Sequence, residues 1–412
     1  MTGAKPKLFY GWYVVFSCTL IIGGSVGLLW NCTGVFVKPV TVALGFSRGA
    51  FTLYTTLSCV SSTILMPFYG SLFRKFGQKR IMLFCAAVCC LLPLMLSFSG
   101  VLWQFYFVAL VQGSFIIGLD VMSLGTLINN WFRSRKGLAT GIAYLGSSLI
   151  GMVAVPAVTR IVEKLGWQWG YRSMSLMAAV LIFPVLIFVI KERPEDKGLR
   201  RYGEEEFENL EAAAAGGLTR AEALKTPMFW LLGFGLFLSA LVTSGIATNF
   251  LAFMSDTGYS TVFASGIVSG YMAFMCMGKL GFGTIFDKLG ASLGALLAGL
   301  VNFLAPFVLV FIGLSGMPYV FAVAFGLAYA TSTVPPAMLT SAIFGNKDFT
   351  SVYGTILMFV TVGSAIGAPL CGFIFDFTQS YHAAWLVLAV CGAAATFFFF
   401  TATRLGERRK TW

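Results

Sequence analysis

Between Gly266 and Gly290 the chain reads GIVSGYMAFMCMGKLGFGTIFDKLG. From Gly266 to Phe286 it carries one charge, Lys279, and it is long enough for a helix rising about 1.5 Å per residue to cross about 30 Å of hydrocarbon. An ammonium inside such a helix costs about 2.5 to 3.5 kcal/mol on insertion scales, and residues that bear this cost mark a substrate or ion path by default. The competing reading is a lysine that snorkels along its own stem to the nearer surface, since the helix end is only seven residues away.

The rest of the chain fits the membrane reading. Of 412 residues 58% are apolar, 41 are Phe, 11% are charged, and the mean hydropathy is +0.85. That leaves too little polar surface to clothe a water-soluble domain. Runs of sufficient length are expected near 11–37, 48–72, 80–98, 101–131, 137–162, 170–190, 228–254, 261–286, 291–314, 317–344, 351–375 and 383–403. The expected fold is therefore all-α and polytopic, with twelve transmembrane helices.

Charge sets the expected orientation. With the N-terminus in the cytoplasm, 22 of the 28 Lys and Arg fall in cytoplasmic segments and five in external ones, Lys279 being the remaining one. This is the bias of the positive-inside rule, so both termini are expected in the cytoplasm of a multi-pass protein of the cell (inner) membrane. The net charge of +12 then reflects contact with anionic lipid and implies no nucleic-acid partner. The first apolar run is too long for a signal-peptide core and is expected to remain as a span.

Catalytic and metal chemistry have little to work with. The nine cysteines fall in expected spans, where they act as small apolar packing residues, and the single histidine, His382, lies outside them. No GxxxxGK[ST] run occurs, so ATP does not drive the protein from within this chain. Neither enzyme activity, a metal nor a cofactor is expected.

The chain divides at its middle. Residues 191–227 turn abruptly polar, with both charge signs, and read as a cytoplasmic linker carrying one or two short helices between an N-terminal bundle, 1–190, and a C-terminal bundle, 228–412. The halves echo each other. GSLFRKFG at Gly70–Gly77 matches GTIFDKLG at Gly283–Gly290 at an offset of 213, and Trp12 and Asn31 match Trp230 and Asn249 at an offset of 218. Parallel six-helix repeats place a solute site near mid-membrane between bundles that rock against each other. Gly23/Gly27, Gly137/Gly141, Gly266/Gly270 and Gly363/Gly367 are small-xxx-small pairs suited to close helix approach.

The glycine, acid, base and glycine pattern of Gly283–Gly290, its degenerate copy Gly70–Gly77 and the twelve-span layout resemble the major facilitator superfamily over nearly the whole chain. The resemblance implies a loop that latches helix ends together on the cytoplasmic side, with Gly283, Asp287 and Gly290 as its parts; in the first copy Arg74 stands where the acid is usual. More narrowly, Tyr10-Gly-Trp-Tyr-Val-Val15, Trp131-Phe-Arg-Ser-Arg-Lys-Gly-Leu-Ala139 and Thr226-Pro-Met-Phe-Trp230 resemble the branch of monocarboxylate transporters and oxalate/formate antiporters. In that branch an eighth-span cation, usually arginine, binds the substrate carboxylate, and Lys279 stands at the matching place. Lysine keeps the charge but loses the planar two-pronged donor. Met275 occupies the position of the branch's proton-carrying aspartate.

Around this cation the residues suggest further candidates. Asp120 lies inside the fourth span and is either a proton-coupling group facing Lys279 or a structural carboxylate satisfied by hydroxyls and helix ends. Tyr271 shares the helix face of Lys279, and Tyr329 is expected at similar depth; each either lines the site or packs. Asn31 and Asn249 lie about 28 Å beyond their interfacial tryptophans at helical rise and either line an outer vestibule or cap helices.

The expected function is secondary active transport of a small organic anion, foremost a monocarboxylate such as lactate, with proton symport or exchange for a counter-anion. The expected partners are that anion, the proton or counter-anion, and membrane lipids. The alternatives are a proton-driven exporter of neutral or cationic compounds, with Asp120 holding the substrate, and a sensor that keeps the fold and moves nothing.

Overall fold

The computed structural model describes residues 9–203, 217–345 and 347–409, and the side chains of Val121, Asp287, Thr350 and Arg409 lie outside the described set. Among the described residues eleven helices are long and apolar enough to cross a membrane, and one bent pair, counted as one span, makes the twelfth. In the first half, span 1 covers Tyr10–Leu44, span 2 Arg48–Phe76, span 3 Gln78–Leu96, span 4 Leu102–Trp131, span 5 Lys136–Leu165 and span 6 Trp167–Val189. In the second half, span 7 covers Pro227–Asp256, span 8 Thr261–Phe286, span 9 Lys288–Val310, span 10 Met317–Ala330 with Pro335–Phe344, span 11 Ser351–Thr378 and span 12 His382–Arg408. Twelve crossings would put the described parts of the central linker on the same face as the outer ends of spans 1 and 12, here called the linker face; the opposite one is the far face.

Three spans are interrupted at mid-depth. Span 1 widens into π-helix over Gly23–Trp30 and turns at Asn31 and Cys32 before its outer helix begins. Span 4 tightens into a 3₁₀ turn at Ile117–Leu119 and breaks at Asp120, whose backbone is extended (φ −104°, ψ −176°). Span 10 bends by 45° across Thr331–Val334, ahead of Pro335 and Pro336, whose missing N–H groups leave the carbonyls one turn back without helical partners. Freed backbone groups at such breaks need partners in a medium without water. Ser25 supplies one, its hydroxyl donating to Leu119 O at 3.1 Å.

The repeated motif is less of a loop than its sequence suggests. Helix runs unbroken from Thr261 to Val310 apart from one residue, Gly290 (φ 79°, ψ 171°), which turns the chain from span 8 into span 9. Gly77 does the same between spans 2 and 3 at φ 85°, ψ 139°. Only glycine adopts this backbone at low cost, which accounts for the terminal glycine of both copies. The side chain of Asp287 lies outside the described set, and Gly283 faces open space.

The glycine pairs divide into two kinds. A Cβ on Gly23 would lie 2.3 Å from Ile150 and one on Gly27 2.9 Å from Ser147 O, so span 1 rests directly on span 5. Gly363 and Gly367 meet Phe237 O and Leu241 O at 2.2 Å, so span 11 rests on span 7 in the same way. Gly137, Gly141 and Gly266, by contrast, have nothing within 4 Å, and Gly270 touches only Ala322 at 3.5 Å. Gly137, Gly141 and Gly266 thus mediate no helix contact in this state.

The linker is tied down at both described ends. Tyr202 N donates to Trp131 O at 2.9 Å, and Tyr202 O accepts from Arg133 N and Ser134 N, between spans 4 and 5. Leu218 N donates to Phe344 O at 2.8 Å, between spans 10 and 11. A short helix, Arg220–Leu224, follows, started by the Thr219/Glu222 capping box. Its first N–H, on Arg220, donates to Asp348 at 2.9 Å. The Ser351 hydroxyl, and with it this N–H, holds the Asp348 carboxyl below the usual carboxylate range.

Candidate functional site

A cavity of about 90 Å³ lies at mid-depth between the two halves, against the interrupted parts of spans 1 and 10. Spans 7, 8 and 11 complete its wall. Of its twelve lining residues only Trp30, Gly34 and Ala247 lack a side-chain hydroxyl or amide. Such a wall is polar and uncharged, unlike the predominantly apolar lining of most small-molecule sites.

Three of the expected site residues, Asn31, Tyr271 and Tyr329, line this cavity. Their positions follow from packing. Phe250, Phe321, Phe325 and Tyr329 form a continuous ring stack at 4.6, 5.2 and 5.5 Å between centroids, and Tyr271 meets Phe325 edge-on at 4.9 Å. The rings are thus fixed in the second half while their hydroxyls remain at the cavity. Tyr329 Oη points across the gap to Asn31 Oδ1 at 3.4 Å.

Lys279 stands next to the cavity and does not line it. Its ammonium reaches across to span 5 and uses all three donors on neutral oxygens: Tyr144 O at 3.2 Å, Ser147 Oγ at 3.0 Å and Ser148 Oγ at 3.1 Å. The side chain therefore lies between the halves and does not snorkel to a surface. Among the described residues no carboxylate pairs with it. Ser147 also joins it to the cavity wall, because Asn31 Nδ2 donates to Ser147 O at 3.2 Å. Lys279, Ser147, Asn31 and Tyr329 thus form one polar line across the interface.

Asp120 sits elsewhere. The break in span 4 puts it at the start of the helix Val121–Trp131, where an aspartate is favoured by the exposed N–H groups and the helix dipole. Tyr144 of span 5, whose carbonyl accepts from Lys279, is near enough to feel the charge of Asp120.

Asn249 is fully buried away from the cavity. Its amide donates to Gly245 O and Ala368 O, and its Oδ1 accepts from Tyr381 Oη at 3.2 Å. Tyr381 in turn accepts from Arg48 at 3.1 Å. This line leads to the far face, where the halves are stitched together. Lys38 and Arg48 both pair with Asp256, Lys38 at 2.7 Å. The guanidinium of Arg48 lies 3.8 Å over Phe375, and the backbone N–H groups of Arg48 and Gly49 donate to Asp376 at 2.9 and 2.7 Å. Towards the linker face the helix sides change character. Gly70 on span 2, Gly137 and Gly141 on span 5, Gly281 and Gly283 on span 8 and Gly354 on span 11 all face open space. Ion pairs join the halves at the far face, and among the described residues none joins them at the linker face.

Several site residues escape sequence reasoning. Tyr144, Ser147 and Ser148 carry a signal in retrospect, a hydroxyl cluster inside an apolar span, but only the fold puts them opposite Lys279. Thr248, Ser332 and Ser364 carry none, since serine and threonine commonly bond to their own helix.

The comparisons agree with this architecture. The family model described as Major Facilitator Superfamily matches residues 19–339 and 232–411. The MFS-type transporter pytF of Aspergillus terreus is 27% identical over 68% of this chain and 91% of its own length. The uncharacterized MFS-type transporter YcxA of Bacillus subtilis is 24% identical over 92% of this chain and 91% of its own. Monocarboxylate transporter 4 of Mus musculus is 23% identical over 92% of this chain and 80% of its own. Among solved structures, a bacterial homolog of the human lysosomal transporter Spinster, inward-facing and unoccupied, superposes with a TM-score of 0.72 at 16% identity, covering 100% of this chain and 99% of that one. A point mutant of the nucleoside transporter NupG gives 0.72 at 12% identity over 94% of this chain and 99% of that one.

Proposed function

Since this chain belongs to the major facilitator superfamily of transporters, we propose that it carries small organic anions, monocarboxylates foremost, by alternating access, with Lys279 as the group that attracts the carboxylate. The observation that carries the reading is an ammonium held between the two halves on three neutral oxygens. Burying a charge without a counter-charge is costly, so an incoming anion gains what the serine hydroxyls give only in part. The similarity to monocarboxylate transporter 4 supports the same substrate class.

On this reading the linker face is the cytoplasmic one, and the state described is open inward. The carboxylate enters from the linker face, displaces one or more oxygens from Lys279 and is brought against Asn31 and Tyr329. The halves then close over it on that side as the far-face ion pairs part. Coupling runs through Asp120. Its protonation alters the field at Tyr144, whose carbonyl holds the ammonium, and so links proton uptake to release of Lys279 for the anion. Exchange against a counter-anion needs only that Lys279 resist crossing without a partner.

Uptake of labelled lactate, acetate, oxalate and formate into proteoliposomes tests the substrate class. A sensor would move none of them, and an exporter of cations would ignore all four. In Lys279→Gln, which keeps much of the length and removes the charge, uptake is expected to fall at least about a hundredfold while the protein still inserts, as for a lost charged hydrogen-bond partner of about 3 kcal/mol. Near-normal uptake by that variant would make the cation structural.

A further inference from the structure

Most hydroxyls at the cavity are already committed. Thr33 donates to Trp30 O, Ser244 to Ser364 O, and Thr243 bonds within its own helix and to Ser332. Three are not. Thr248, Tyr271 and Ser364 line the cavity, and their hydroxyls have no partner among the described residues. Thr248 is 8% exposed and Tyr271 2% exposed, yet neither hydroxyl is among the buried polar atoms left without a partner, so what each reaches is the cavity itself. A threonine in a helix ordinarily returns its hydroxyl to the carbonyl one turn back, as Thr243 does at 3.1 Å. Thr248 forgoes that bond beside the cavity.

From this we propose that the carried anion is a hydroxylated carboxylic acid, with hydroxyl groups on the carbons beyond the carboxylate. The proposal rests on the anion reading above and narrows it. Each of the three hydroxyls both donates and accepts, and a substrate hydroxyl does the same, so every pairing is satisfied on both sides. An alkyl chain in the same place would leave Thr248 and Tyr271 buried without partners. The ligand lies with its carboxylate at the end formed by Lys279, Ser147 and Asn31, and with its hydroxyl-bearing carbons against Thr248 on span 7 and Ser364 on span 11. Both halves then hold the same molecule, as alternating access requires.

A series of three-carbon acids separates this from simple anion transport. Propionate, lactate and glycerate have the same carbon chain and carry no, one and two hydroxyls; glycerol supplies the hydroxyls without the charge. Uptake into proteoliposomes is expected to rise along propionate, lactate and glycerate, roughly tenfold for each hydroxyl, and the unfolding temperature of the purified carrier at equal ligand concentration is expected to rise in the same order. Thr248→Val and Tyr271→Phe, which delete a hydroxyl and little else, are expected to lower the glycerate-to-propionate ratio by a similar factor. Equal or better handling of propionate, or a ratio unmoved in both variants, overturns the hydroxyl preference and leaves the anion reading standing. Transport of glycerol with no response to any acid overturns both.

Discussion

Lys279 and Asp120 are both legible in the sequence as charges out of place, and the fold separates their roles. The cation reaches into the gap between the halves, whereas the acid starts a helix within the first half. If the acid is the proton site, Asp120→Asn is expected to make anion uptake indifferent to pH between about 5 and 8 while retaining the fold, since asparagine also serves at a helix start. An unchanged pH profile in proteoliposomes would assign Asp120 to helix capping alone. Asn31 and Asn249 show where sequence reasoning stops. They are equivalent by repeat, yet Asn31 faces the cavity and Asn249 is locked onto Gly245, Ala368 and Tyr381. Equal spacing cannot tell them apart, because their neighbours come from distant spans.

At the scale of the helices, apolar run length places the spans, and their breaks at Asn31, Asp120 and Thr331–Val334 go unseen except where Pro335 and Pro336 mark the last. A π turn and a 3₁₀ turn leave no mark on composition, since they depend on which neighbouring group satisfies the freed carbonyl. The glycine pairs, identical on paper, make opposite predictions. Gly363→Ala forces a methyl to within 2.2 Å of Phe237 O, so it is expected to part spans 7 and 11 at a cost of about 1 to 3 kcal/mol, read as a lower unfolding temperature of the purified protein. Gly137→Leu meets nothing in the state described. It is expected to leave that temperature unchanged and, if this side of span 5 meets the other half in each cycle as the proposed mechanism requires, to lower transport at least about tenfold. Full activity would mean that this side of span 5 stays apart from the other half throughout.

For the whole molecule, the echoing halves, the linker anchored between spans 4 and 5 and between spans 10 and 11, and the far-face ion pairs make up, on the proposed mechanism, one of two positions. Arg48 and Lys38 contribute to this position through Asp256, so Asp256→Asn is expected to weaken it by about 2 kcal/mol and shift the balance towards far-face opening roughly thirtyfold. A cysteine introduced as Thr248→Cys in a background cleared of reactive thiols would report it, through faster modification by a membrane-impermeant reagent added at the far face. No change in rate would place the resistance to opening in the helix packing instead. The far closure relies on charges set in aromatic surroundings. A clasp of that kind is largely hidden from dissolved ions, so the pace of the cycle should depend only weakly on the saltiness of the medium bathing that face, whatever the cargo.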